Sequence, residues 1–194
     1  MKIGLYGGTF DPIHNGHLRV VVELITRKVV DQIILIPAGE PQLRSAAPLA
    51  NTKDRLQMCK LAVEDLPRDI NQAVEISDIE INRQGPSYAI DTVESILKIR
   101  GSADETEFYW IIGSDAFEKI DSWHRAAELK ELVSFIVIDR PSANDQNDAD
   151  GMDIGALDIS ATEIRSAINS NNSVSGVSPS VRKYILERKL YASK

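Results

Sequence analysis

One stretch near the amino end limits what this chain can fold into. Ile3 to Tyr6 is an apolar run of the right length for a single buried strand, and Leu18 to Ile25 has the apolar spacing of a helix. Between them stands Gly7-Gly8-Thr9-Phe10-Asp11-Pro12-Ile13-His14-Asn15-Gly16-His17. A second β-rich run, residues 32–37, follows the amphipathic helix expected over roughly 17–28. This is a βαβ unit, whose parallel strands are joined by a right-handed crossover. Ile33-Ile34-Leu35-Ile36 is apolar on both faces, as a central parallel strand requires. Ligands of open α/β sheets bind outside the carboxyl ends of the strands. The long turn at 7–17 and the end of the second strand at Pro37-Ala38-Gly39 both fall there.

The remainder of the chain continues this alternation. Asn51-Thr52 opens a helix over about 52–65, with Leu56, Cys59, Leu61, Ala62 and Leu66 as its apolar stripe. Val74 to Ile79 alternates as a strand does, Gly85-Pro86-Ser87 breaks the chain, and a helix is expected over about 88–100. Phe108–Ile112 and Val133–Ile138 are further core strands, with a short helical piece and a helix near 124–131 between them. A short strand is expected at 156–158, then a helix to about Asn169 introduced by Ser160 and Glu163 at capping-box spacing. Ser178-Pro179 opens the last helix, with proline in its first position. The fold class is therefore α/β: one domain over 1–194, a doubly wound, mostly parallel sheet of five or six strands with helices on both faces, of Rossmann-like form. The stretch Ser142 to Gly155 is polar, acidic and patternless, and the loops near 40–50 and 141–156 are expected to be flexible.

Composition excludes several classes of function. The net charge of -7 argues against general nucleic-acid binding, which uses a basic face. Any phosphate site must then be a local positive pocket in an acidic protein. Cys59 is the only cysteine, so neither an intrachain disulfide nor a cysteine-cluster metal site can form, as suits a reducing cytoplasm. No apolar run approaches the ~20 residues that span a bilayer, and the first residues read as a strand and not as a secretion signal. The expected location is cytoplasmic, without membrane partners. Self-association is left open.

The turn itself carries chemistry. Gly7 and Gly8 allow close approach of backbone to a ligand and make positive φ available. Thr9 offers a hydroxyl. His14 and His17, with Gly16 between them, can turn both rings into one site at a helix start, where backbone N–H groups and the helix dipole favour an anion. The dinucleotide fingerprint GxGxxG and the P-loop pattern are both absent. His14-Asn15-Gly16-His17 resembles the (T/H)xGH signature of the nucleotidylyltransferase superfamily. The longer string from Gly7 to His17 resembles the bacterial nicotinate mononucleotide adenylyltransferases, and the resemblance extends from Ile3 to Tyr191.

Four more segments lie at the expected carboxyl edge. Ile159-Ser160-Ala161-Thr162-Glu163-Ile164-Arg165 offers hydroxyls, helix N–H groups and a guanidinium to phosphates, and resembles the superfamily's ISSTxIR motif with Ala161 in place of the second serine. Gly113-Ser114-Asp115 precedes Trp123, whose indole can stack on a flat ring. The resemblance implies that this tryptophan meets the pyridine ring and that Gly113 and Asp115 contact nucleotide. Ser87-Tyr88-Ala89 resembles the family's Gly-Pro-Ser-Tyr-Thr segment, which helps hold the nicotinate carboxylate, with Ala89 in place of the threonine. Pro41-Gln42-Leu43-Arg44 stands where the family has Pro-Pro-His-Lys: the histidine is gone, and Arg44 keeps the charge in a different shape. Arg140-Pro141 matches a family Arg-Pro after the last main strand.

The resemblance implies transfer of AMP from ATP to nicotinate mononucleotide, with release of pyrophosphate. A phosphate nucleophile is already ionised near neutral pH and needs no protein base, so positioning and charge neutralisation carry the reaction. His14, His17 and Arg165 are the expected catalytic residues. ATP is expected against Gly7, Gly8, Thr9, Phe10, Gly16, Arg140, Ile159, Ser160 and Thr162. The mononucleotide is expected against Thr9, Pro37, Arg44, Ser87, Tyr88, Ala89, Gly113, Asp115 and Trp123. Mg²⁺ is the expected cofactor, held mainly by phosphates and water, with no protein metal ligands. The rival readings are activity on nicotinamide mononucleotide or on both mononucleotides, another adenylyl- or cytidylyltransferase sharing HxGH, an inactive nucleotide-binding regulator, and a class I aminoacyl-tRNA synthetase fragment. The last lacks a KMSKS-like segment here.

Overall fold

Five strands run parallel in the order β3-β2-β1-β4-β5: β1 (Lys2–Gly8), β2 (Gln32–Pro37), β3 (Val74–Ile76), β4 (Glu107–Gly113) and β5 (Ser134–Ile138). The structure is a computed structural model that describes residues 1–42, 46–101, 106–139, 151–155, 157, 159–170 and 174–192. The chain first builds outward from β1 through β2 to β3, then returns to add β4 and β5 on the other side of β1. The switch point between β1 and β4 is where sheets of this kind open a crevice for ligand.

The crossovers are helical. α1 (Asn15–Thr26) joins β1 to β2, and α2 (Thr52–Glu64) with the short α3 (Arg68–Asn71) leads to β3. α4 (Ile79–Asn82) and α5 (Ala89–Arg100) precede β4. α6 (Ser114–Phe117), a 3₁₀ turn (Ile120–Ser122) and α7 (Ala126–Leu132) precede β5, and α8 (Ala161–Asn169) and α9 (Pro179–Arg188) follow it. Strand alternation sends neighbouring residues to opposite layers. Leu5, Ile34, Ile36, Trp110 and Ile112 pack with Ile90, Val93 and Leu129 of α5 and α7. Ile33, Ile111 and Ile136 pack with Val20, Val21 and Leu24 of α1. Leu35 meets Met58 and Cys59 of α2, where Ile164, Val181 and Ile185 of α8 and α9 close the layer. Both faces of the sheet are thus covered, which is why its strands read as continuous apolar runs.

The expected elements form with small shifts of boundary, and three differences have physical causes. The strand expected over Val74–Ile79 stops at Ile76. The Ser77 hydroxyl accepts the N–H of Ile79 at 3.4 Å, a local bond that turns the chain into α4. α7 starts at Ala126 and not near 124, because Arg125 takes a left-handed conformation, φ 52°. Of the short strand expected at 156–158, only Leu157 lies among the described residues, and it joins no strand. The N–H of Ile159 donates back to its carbonyl at 2.9 Å, a three-residue turn incompatible with extension, and β5's only other pairing among the described residues is a bridge from Ile138 to Met152. Ala156 and Asp158 lie outside the described residues, as do most of 141–156 and residues 43–45 of the loop near 40–50.

Cys59 is completely buried between α2 and the sheet, and burial pushes its thiol well above the usual range. The native protein is therefore expected to give no reaction with a thiol reagent at pH 8, and one equivalent once unfolded in guanidinium. Rapid native labelling would contradict this packing of α2.

Candidate active site

The turn after β1 is built around two imidazoles. His14 caps α1, and its backbone N–H donates to Nδ1 of His17 at 3.2 Å; a reciprocal capping box ties the His14 side chain to the backbone of His17. The rings stack with centroids 3.7 Å apart and planes inclined by 30°. Because Nδ1 of His17 accepts, the proton of the neutral ring resides on Nε2, which leaves that nitrogen as a donor. Gly16 is required by this geometry: a Cβ there would lie 3.0 Å from both Cε1 and Nδ1 of His14.

The two glycines before the turn serve a different purpose from the one expected. A Cβ on Gly8 would lie 2.7 Å from the Phe10 ring, and one on Gly7 would lie 3.0 Å from Trp110. They make room for aromatic packing, and the positive φ of the turn falls on Phe10, at 49°. Phe10 is itself only 2% exposed. It meets His17 edge-on at 5.0 Å and Tyr6 at 5.7 Å, so its ring is a prop beneath His17 and not a surface for ATP. The amide of Asn15 is likewise engaged, donating to the carbonyl of Gly176 at 2.8 Å.

Arg165 reaches the same turn from α8. Its Nη1 donates to the carbonyl of Asp11 at 2.7 Å, and its Nη2 to the hydroxyl of Thr162 at 3.2 Å. The expected capping box is present, so the Ser160 hydroxyl is taken up at the helix start, accepting from the N–H of Glu163 and donating to its carboxylate. Ile159 packs into the apolar layer against α8 and α9.

Asp11 is the centre of this region, and the sequence reading gave it no role. It is 2% exposed and follows into a cis peptide bond with Pro12. Its carboxylate accepts from the N–H groups of Leu49 and Ala50, at 2.9 and 3.1 Å, and from the Tyr191 hydroxyl at 2.8 Å. Burial, and then the Asp11 charge, push the Tyr191 phenol far up, so it remains a donor at every physiological pH. Arg55 is the second residue without an assigned role. This guanidinium on α2 is 1% exposed and donates to the carbonyls of Thr9, Ala38 and Gly39 at 2.7, 2.6 and 3.3 Å. It fastens the carboxyl ends of β1 and β2 together. Arg55 lies four and seven residues before Cys59 and Ala62, on the buried stripe of α2, and a cation in an apolar stripe was the signal available.

Opposite the histidines, three segments meet. The loop after Pro37, which ends β2 beside Gly8, is held by Ser87: its Oγ accepts from the N–H groups of Gly39 and Glu40, at 3.0 and 3.1 Å. Ser87 thus orders the loop and does not present a free hydroxyl, as the reading of a direct ligand contact would need. Tyr88 precedes Ala89, the first residue of α5, and stacks on His124 at 4.3 Å with planes at 28°. His124 had no assigned role. Trp123, half-buried, stands edge-on to Trp110 at 6.5 Å. Gly113 ends β4 and caps α6, whose first turn holds Asp115. Arg44 and Arg140 lie outside the described residues.

Comparison with known proteins gives three findings. The model of the cytidylyltransferase-like family matches residues 5–167. A Bacillus pumilus protein named "Probable nicotinate-nucleotide adenylyltransferase" is 37% identical over 195 residues, covering 99% of each chain, and one of the same name from Desulfatibacillum aliphaticivorans is 34% identical, covering 98% of this chain and all of its own. Among solved structures, the Plasmodium falciparum nicotinic acid mononucleotide adenylyltransferase complexed with NaAD shares the fold, with a TM-score of 0.77, 20% identity, and coverage of 98% of this chain and 97% of its own.

Replacing Arg55 by alanine leaves three carbonyls at the sheet edge without their donor. A loss of about 3 kcal/mol is expected, since a broken buried charge contact leaves its partners unsatisfied. Urea unfolding of Arg55→Ala against the parent chain measures it, and a loss under about 1 kcal/mol would remove Arg55 from this role.

Proposed function

The chain belongs to the cytidylyltransferase-like family and, within it, to the nicotinate-nucleotide adenylyltransferases, and from that premise we infer the roles of its residues in adenylyl transfer. It transfers AMP from ATP to nicotinate mononucleotide, giving nicotinate adenine dinucleotide and pyrophosphate. A phosphate oxygen of the mononucleotide attacks the α-phosphorus of ATP. A new P–O bond forms there as the bond to the β-phosphate bridging oxygen breaks, and pyrophosphate leaves with that electron pair. The observation that carries the assignment of roles is the stacked pair His14–His17 at the start of α1, with Arg165 anchored on the same turn.

The nucleophile is ionised before it binds, so the protein contributes position and charge. His17, donating from Nε2, and His14 meet the phosphates of ATP and offset charge growing at the α-phosphate. Arg165, with Thr162 beside it, holds the leaving pyrophosphate. Arg44 assists from the loop after β2. The mononucleotide lies on the side of Pro37, Ser87–Ala89 and Trp123, its pyridine ring against the indole and its carboxylate at the N-terminus of α5. Since Ser87 is engaged with the loop and residue 89 has no hydroxyl, backbone N–H groups carry that recognition. Mg²⁺ accompanies ATP and neutralises its phosphates. The carboxylate of the histidine turn, Asp11, is already filled by two amides and a phenol, which fits an ion held by phosphate oxygens and water. No described helix is long and apolar enough to cross a membrane. A cytoplasmic site of action is in keeping with the lone buried cysteine.

Two measurements test this. Steady-state pyrophosphate release with ATP and Mg²⁺ is expected to be strong with nicotinate mononucleotide and weak with the nicotinamide form, whose amide leaves donors built for a carboxylate unpaired. Equal or reversed preference would move the chain to the amide or dual-specific enzymes, and no release with either would leave a nucleotide-binding regulator. His17→Ala is expected to lower kcat by about 10²–10³-fold, the usual loss for a donor aimed at developing charge, with the protein still folded by circular dichroism.

A further inference from the structure

Behind the loop that faces the mononucleotide lies a buried acid with no part in the chemistry above. Glu80 of α4 is only 5% exposed. Its Oε1 accepts from the hydroxyl of Thr92 on α5 at 2.7 Å, and its carboxylate also takes hydrogen bonds from the Ser87 side chain and the backbone of Gly39. Arg83 supplies the facing positive charge and donates to the Thr92 hydroxyl at 3.2 Å. Ser87 Oγ already accepts from two backbone amides, those of Gly39 and Glu40, so its single proton can only be donated, and Glu80 receives it. The Thr92 hydroxyl also lies 3.2 Å from the carbonyl of Tyr88, so Glu80, Thr92 and the residue before α5 share one contact. The fit is tight as well: a Cβ on Gly39 would lie 2.3 Å from the backbone carbonyl of Glu80.

The geometry points to Glu80 as a positioning residue for the mononucleotide. Through Ser87 it fixes the 39–41 loop, and through Thr92 it fixes the start of α5, so that the two walls of that half-site keep one spacing. Ser87 binds the loop from the other side too, its N–H donating to the carbonyl of Glu40 at 2.9 Å and its backbone bridging to Pro41. Burial raises the Glu80 carboxyl above its ordinary range. The role rests on the substrate assignment made above.

The test is kinetics of Glu80→Gln with ATP and nicotinate mononucleotide, each varied in turn. The amide places a donor against a donor, and KM for the mononucleotide is expected to rise about tenfold, the effect of losing one charge-assisted hydrogen bond. KM for ATP and kcat are expected to stay within about twofold, and Tm at pH 7 is expected not to fall. Thr92→Val, which removes a single hydroxyl, is expected to raise the same KM by a smaller factor, and Thr92→Ser to restore it. These two variants decide the matter if Glu80→Gln does not fold. An unmoved mononucleotide KM, or equal changes in both KM values together with a fall in Tm, overturns the inference. Absence of turnover in the unaltered chain instead overturns the substrate assignment on which it rests.

Discussion

The site depends on one buried guanidinium. Parallel strands end at the same edge with their last carbonyls pointing outward, and the ladder of β1 and β2 ends with the bond from the N–H of Ala38 to the carbonyl of Gly8. Arg55 supplies the missing donors, binding Thr9 on one side and Ala38 and Gly39 on the other. A lysine could not do this, because one ammonium has no planar fork to span two strands. Asp11 completes the arrangement from the opposite sign of charge, gathering the 49–50 loop and the end of the chain onto the turn that carries the histidines. The histidine turn is thus mounted on a frame of buried charged side chains within a protein that is acidic overall.

This division explains which parts of the molecule were legible in the sequence. Periodicity revealed the strands and long helices because both sheet faces are covered, and a strand such as Ile33–Ile36 then has no polar face to confuse the pattern. The histidine turn was legible because its residues are contiguous. Asp11, Arg55, Glu80, His124 and Tyr191 were not assigned, because their significance comes from contacts between elements far apart in the chain. Arg55 could have been noticed as a charge on a buried stripe. Tyr191 could not, since nothing near it in sequence points to Asp11. The short elements α3 and α4 were missed for a related reason: four residues are too few for a helical period to declare itself, and Ser77 diverts the chain through a single local bond.

The same contacts change how several motif residues should be understood. Gly7 and Gly8 read as approach points for a ligand, yet the space beside them is filled by Trp110 and Phe10. Ser87 and Ser160 read as ligand hydroxyls, yet both are engaged in local structure. In each case the motif residue is engaged in local structure of the turn or helix start. The two imidazoles and the Arg165 guanidinium are held together on the turn by many such local contacts.

The bond between Asp11 and Tyr191 joins residues separated by 180 positions. On the ribosome, the tyrosine that fills the Asp11 carboxylate is made long after the turn bearing the histidines, and after β5. A nascent chain can assemble the sheet through β5 and still leave the Asp11 carboxylate one donor short. Completion of the site is therefore tied to the segment beyond α9, and a chain cut before Tyr191 would carry the motif without its finished support.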